Sequence, residues 1–209
     1  MKRTLFCTAS ALLLMSAGAF AAPADQPGHE SPQPGTRSES MSAMRDSTAG
    51  VVGKVSAKLT NTTEGFVTAA AVSDMYEVTA GEIALQRAQS PKVKDFARQM
   101  IEAHKGTTSQ LKSVIASNNI KVMPPAHVDG RRQGVLDNLR GAKAEDFDHR
   151  YMSQQVAAHK EADILMRDYA KDGDNAAVRE FAAATSQAVK MHLSMAEKLD
   201  KGQKTASNN

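Results

Sequence analysis

The chain has 209 residues and a formal net charge of +3, and only 4% of its residues are aromatic. Its lysines are scattered rather than clustered, so this composition argues against a nucleic-acid-binding protein. The only cysteine is Cys7, which leaves the rest of the chain without a thiol for a disulfide or for a cysteine-ligated metal.

Residues 1–21 have the pattern of a secretory signal peptide. Two basic residues precede an apolar stretch over residues 5–14, and Ala19-Phe20-Ala21 is a cleavage site of the A-x-A type. We expect cleavage after Ala21, a periplasmic or otherwise extracytoplasmic protein, and a mature net charge close to +1. The apolar stretch is too short for a transmembrane helix, and we expect none in the mature chain.

The segment that follows the signal peptide is polar. Residues 22–60 are rich in proline, serine, glycine and charge and show no sustained helical or strand period, which predicts a disordered or weakly helical linker. The folded domain is expected over residues 61–202, and residues 203–209 are expected to form a disordered tail.

Four long helices are predicted in the folded domain. The first begins at a capping-box pattern over residues 61–64, and the second begins where Ser90 precedes Pro91. No alternating strand pattern is present, so we predict an all-α bundle of two antiparallel helix hairpins. The long connection between the hairpins either crosses the length of the bundle or returns locally. The helices are expected over roughly 61–88, 90–118, 144–171 and 175–201.

Four polar residues, one in each predicted helix, lie on or beside the apolar faces. They are Glu77, His104, His159 and His192. His104 is at the centre of its apolar face, whereas His159 is at the edge of its own and is the least central of the four. A rise of about 1.5 Å per residue brings all four to the same level in either topology, so they can meet. The other three histidines, His29, His127 and His149, are expected at the surface.

Three imidazoles and a carboxylate are a suitable ligand set for one divalent transition metal, namely Fe, Zn, Mn or Cu. No histidine follows a glutamate by three residues, which argues against a carboxylate-bridged di-iron centre. Nearby methionines would favour copper, but methionine also fills irregular helical cores. The alternative is a metal-free Glu/His hydrogen-bond network in a structural or interaction protein of the cell envelope. No nucleophile constellation or organic cofactor motif supports a prediction of enzymatic activity.

Several stretches of the sequence resemble a family of secreted bacterial proteins that is catalogued as a domain of unknown function. The resemblance implies a ferritin-like four-helix bundle and an extracytoplasmic location, and it supplies no activity. His104, His159 and His192 match the family's pattern, and Glu77 matches it too. For its partners, the sequence leaves two alternatives, which are association with the cell envelope and self-association. The resemblance covers about residues 62–199 and rests on the stretches 66–85, 93–104, 147–159 and 178–193.

Overall fold

A computed structural model describes residues 30–206, with side chains to residue 203. This part of the chain forms helices and no strand, which confirms the predicted all-α class. The predicted signal peptide, residues 1–21, lies outside the described residues. The helices are α1 (Glu39–Lys58), α2 (Thr63–Arg87), α3 (Pro91–Ser117), α4 (Gly130–Arg140), α5 (Phe147–Asp172) and α6 (Ala176–Ala206).

Helices α2, α3, α5 and α6 lie close to the four predicted positions. Thr62 caps α2 by accepting a hydrogen bond from the backbone N–H of Gly65, which satisfies one of the free donors of the first turn. Pro91 is the first residue of α3, where its missing N–H costs nothing. At the C-terminus α6 continues to Ala206, so part of the segment predicted as a disordered tail is helical.

Two antiparallel helix pairs, α2–α3 and α5–α6, pack against each other through α2 with α5 and α3 with α6. At one end, the backbone N–H of Asp174 donates to the carbonyl oxygen of Asn61 over 3.3 Å. At the other end, the Asp148 carboxylate accepts hydrogen bonds from the backbone N–H groups of Gln89 and Ser90 over 3.0 and 2.7 Å. Helix α3 therefore begins beside the start of α5, and the connection between them crosses the length of the molecule.

Helix α4 lies in this connection, for which the sequence analysis predicted no helix. Asp129 caps it by accepting from the backbone N–H of Arg132 over 2.6 Å. At its C-terminal end, the Arg87 guanidinium donates to the carbonyl oxygens of Leu139 and Ala142 over 2.9 and 2.6 Å. These bonds from α2 supply further donors to carbonyl groups in the last turn of α4 and just beyond it.

Helix α1 occupies most of the segment predicted as a linker, and it packs on α4 and α5. Helix α1 is held by small and polar residues rather than by an apolar stripe. The Asp46 carboxylate accepts from the side-chain amides of Asn138 and Gln154 over 2.8 and 2.7 Å. Buried Arg150 of α5 forms an ion pair with Glu39 at the start of α1.

The apolar core is divided into two clusters by a polar layer. One cluster contains Tyr76, Phe96 and Tyr151, and the other contains Phe66 and Tyr169, whose ring centroids are 4.3 Å apart. Each of the helices α2, α3, α5 and α6 passes from one apolar cluster, through the polar layer, to the other cluster. Within residues 30–206, no helix carries an apolar stretch long enough to cross a bilayer.

Candidate metal centre

Three of the four polar residues singled out in the sequence meet in the layer between the two apolar clusters. His104 of α3, His159 of α5 and His192 of α6 have ring centroids 5.6 to 6.0 Å apart. One nitrogen from each ring lies within 4.8 Å of the others. In a tetrahedral site with metal–nitrogen bonds of about 2.0–2.1 Å, the nitrogens are roughly 3.3 Å apart. Ring movements of about 1 Å would therefore bring all three onto one ion.

The burial of the three rings differs from the prediction. His159, which the sequence analysis placed at the edge of its apolar face, is only 1% exposed, while His104 is 6% exposed and His192 is partly exposed. Neighbouring helices enclose His159. Its ring centroid is 6.5 Å from that of Phe96 of α3 and 5.6 Å from that of His192 of α6, and Glu77 of α2 is 3.8 Å from its Nδ1. His159 is thus the deepest of the three rather than the most peripheral.

Asp74 of α2 orients the ring of His104. Nδ1 of His104 lies 2.7 Å from Oδ1 of Asp74, and the hydroxyl of Thr108 donates to Oδ2 over 2.9 Å. Burial lowers the pKa of His104, but the hydrogen bond with Asp74 and the charge of Glu77 outweigh it, so the pKa is raised. A carboxylate on one ring nitrogen directs the other nitrogen toward a metal in many metalloproteins. The sequence analysis missed Asp74, although it precedes Glu77 by three residues and so shares its helix face.

His159 and His192 are held as neutral imidazoles. Nδ1 of His159 donates to the backbone carbonyl oxygen of Gln155 over 2.9 Å, which leaves Nε2 as the nitrogen with a free lone pair. Burial, together with the charge of His104, lowers the pKa of His159 to about 3. Burial, together with the charges of His159 and His104, lowers the pKa of His192 to about 4. The neutral imidazole is the form that coordinates metals.

Each of the three histidines has a buried nitrogen without a partner. Nε2 of His104, Nε2 of His159 and Nδ1 of His192 have no hydrogen-bond partner in the described part of the chain. A buried polar atom without a partner is destabilising, and three such atoms in one layer need a common explanation. A coordinated ion would use lone pairs that otherwise have no partner.

Glu77 is buried beside the histidines but is not grouped with their converging nitrogens. Its Oε1 is 3.8 Å from Nδ1 of His159, which is the nitrogen bonded to the Gln155 carbonyl group. Burial raises the pKa of the Glu77 carboxyl, and the charge of His104 acts in the opposite direction. The structure thus places Glu77 at the edge of the histidine cluster.

The charges around the cluster favour a cation. Asp74 is 4% exposed and Glu77 is 1% exposed, and burial raises the pKa of both carboxyls because ionisation away from water is costly. The charge of buried Arg132 also acts on Glu77, but Arg132 is itself paired with Glu161 over 3.1 Å. Two carboxylates beside three imidazoles would be balanced by one divalent ion.

Residues 53–199 match the family described as Domain of unknown function (DUF4142), and the chain belongs to that family. The match contains Asp74, Glu77 and the three histidines, and it begins near the C-terminal end of α1. This confirms the family predicted from the sequence. No curated protein and no solved structure matches the chain.

Proposed function

We propose that this member of the DUF4142 family binds one divalent transition-metal ion through His104, His159 and His192. The observation that carries the proposal is the convergence of three buried, partnerless ring nitrogens from three helices. Asp74 orients one of these rings and a backbone carbonyl group orients another, as the supporting groups of a metal site do.

The donor set narrows the choice of metal. Imidazole suits Zn, Cu and Fe, and the cluster offers no thiolate and no bridging carboxylate. We therefore propose a mononuclear site rather than a dinuclear iron centre. Glu77 supplies a compensating negative charge beside the ion.

We further propose that the four helices α2, α3, α5 and α6 form a ferritin-like bundle. Support comes from the crossover connection between α3 and α5, because one long crossover is the connectivity of ferritin-like bundles. The signal-peptide pattern of residues 1–21 supports an extracytoplasmic location. A metal site in an extracytoplasmic helical bundle fits a role in metal handling or in protection against oxidative stress.

The test is to purify the protein without chelator or immobilised metal, and to measure bound metals by elemental analysis. Metal-free protein is then offered Zn, Fe(II), Mn and Cu in turn while the melting temperature is recorded. We expect one equivalent of metal and a rise in melting temperature, because an ion that binds only the folded state stabilises it.

Alanine variants connect the metal to the cluster. His104→Ala, His159→Ala and His192→Ala should each lose the bound metal, whereas His127→Ala should keep it because His127 is exposed and outside the cluster. A wild-type protein with no bound metal and no change in melting temperature with any of the four ions would refute the proposal. That result would favour the metal-free network.

A further inference from the structure

We propose that the metal site is open, and that its fourth position takes an external ligand of one to three atoms, such as water or a small anion. This inference rests on the proposed function and deepens it. It differs from the ligand set predicted from the sequence, in which Glu77 completes the coordination.

The position of Glu77 is the first argument. Its nearest carboxylate oxygen faces Nδ1 of His159, over 3.8 Å, and that nitrogen already donates to a backbone carbonyl group. The partnerless Nε2 of His159 is the other ring nitrogen, separated from Nδ1 by Cε1. A metal bound at Nε2 would therefore lie at a different edge of the ring from the one that Oε1 of Glu77 faces.

A small cavity beside His104 and His192 is the second argument. Its volume is about 30 Å³, which is room for one or two water molecules. The cavity borders two histidines of the cluster, and neither His159 nor Glu77 is among its lining residues. The buried residue Asp74 also lines the cavity, and the other lining residues are mostly small or apolar and include Ala70, Ser73, Thr107, Thr185, Ala188 and Val189.

The hydroxyl groups in this lining suit water as a ligand. Thr107 and Thr185 donate their hydroxyl hydrogens to the carbonyl oxygens of Ala103 and Phe181 over 3.0 and 2.8 Å. Their oxygens are left with lone pairs that accept hydrogen bonds from a bound water. His192 is the most exposed of the three histidines, so this side of the cluster is also the side closest to solvent.

In this arrangement Glu77 acts through its charge. A buried carboxylate close to the metal repels an anionic ligand and favours a neutral one, because interactions between charges are strong away from water. Glu77→Gln keeps the shape of the side chain and removes the charge. We expect this variant to bind an anion at the fourth position about tenfold more tightly than the wild-type protein.

The experiment uses Co(II) as a spectroscopic probe and azide as the external ligand. Wild-type protein loaded with Co(II) is titrated with azide while its visible absorption is recorded, and the Co(II) content is measured before and after. We expect azide to change the absorption spectrum without removing Co(II), and to do so at lower concentration in Glu77→Gln.

A matched pair of variants tests the cavity. Ala188 lines the cavity, whereas Ala183 is on the exposed face of the same helix. Ala188→Leu should weaken azide binding at least tenfold with Co(II) still bound, and Ala183→Leu should behave like the wild-type protein.

The outcomes separate this inference from the proposed function. If Co(II) does not bind, the metal site itself is refuted. If Co(II) binds and azide changes only the spectrum of Glu77→Gln, Glu77 is the fourth ligand and the open site is refuted. An unchanged spectrum in both proteins also refutes it, and equal azide binding by Ala188→Leu and Ala183→Leu refutes the cavity as the ligand site.

Discussion

The Asp74–His104 hydrogen bond decides which nitrogen of His104 faces the other two histidines. Because Nδ1 is engaged over 2.7 Å, only Nε2 is available to the cluster. Asp74 is in turn held by the Thr108 hydroxyl, so its carboxylate has a fixed orientation. The ring of His104 is thus positioned before any ion arrives, which reduces the entropy that binding would otherwise cost.

We predict that Asp74→Asn weakens metal binding about tenfold, since loss of such a supporting carboxylate typically costs 10- to 100-fold in affinity. The measurement is a competition titration with a chromophoric chelator. Asp95→Asn is the control, because Asp95 is an exposed residue paired with Arg98. Equal affinities of Asp74→Asn and Asp95→Asn would show that the carboxylate does not support a metal ligand.

Protonation of the three rings should differ in the metal-free protein. The pKa of His104 is raised, whereas the pKa values of His159 and His192 are lowered to about 3 and about 4. At pH 5 we therefore expect a protonated His104 and two neutral rings. Histidine ring signals in an NMR titration will report this. A His159 ring that takes up its proton near pH 6.5 would contradict the burial that causes the shift.

At the scale of elements, the polar layer depends on how closely α2 approaches α3. Gly81 faces Ile101 and Ala97 of α3 one turn after Glu77. A Cβ atom at Gly81 would lie 2.7 Å from Cγ1 of Ile101 and 3.2 Å from the carbonyl oxygen of Ala97. The second of these is backbone, which cannot move without shifting α3.

Gly81→Ala should therefore lower the free energy of unfolding, by about 1–3 kcal/mol, despite the better helix propensity of alanine. Chemical denaturation provides the measurement. In the control, Gly106→Ala, the added Cβ meets no atom of the described chain within 4 Å. That variant should gain about 0.5–1 kcal/mol. A Gly81→Ala protein as stable as Gly106→Ala would show that the helices can separate at no cost.

Helices α2, α3, α5 and α6 could be predicted because each buries one apolar face, and that burial gives the sequence a 3.6-residue period. The common level of the histidines followed from the fixed rise per residue. Helices α1 and α4 could not be found in this way. The buried face of α4 includes Arg132, Gln133 and Asn138, and that of α1 includes Ser42 and Gly53.

The side-chain contacts between helices could not be predicted from the sequence either. The Asp74–His104 pair joins α2 to α3, and it becomes visible only when the rotation of both helices is known. His159 is buried beside Glu77 of α2 and His192 of α6, and its depth likewise depends on how these helices are rotated. In both cases the deciding partner is distant in the chain and polar, so no local apolar pattern reports it.

At the scale of the whole molecule, α1 is tied to α4 and α5 through polar contacts. Asp46 receives hydrogen bonds from Asn138 of α4 and Gln154 of α5, and it lies 3.6 Å from the Arg150 guanidinium. Burial raises the pKa of Asp46, although these partners act in the opposite direction. The three partners would have no equivalent acceptor at this position without the carboxylate.

Asp46→Ala should consequently lower the free energy of unfolding by about 2 kcal/mol, because it removes the acceptor of the Asn138 and Gln154 amides. It also removes the second carboxylate beside the Arg150 guanidinium, which keeps its ion pair with Glu39. Denaturant titration of the variant measures this loss, with Asp172→Ala as a control because Asp172 is exposed. Metal affinity at the histidine cluster should change less than threefold, since Asp46 contacts none of the three rings. A variant that keeps its stability would show that α1 is not held by these bonds, and one that loses metal as well would show that the packing of α1 on α5 also influences the histidine cluster.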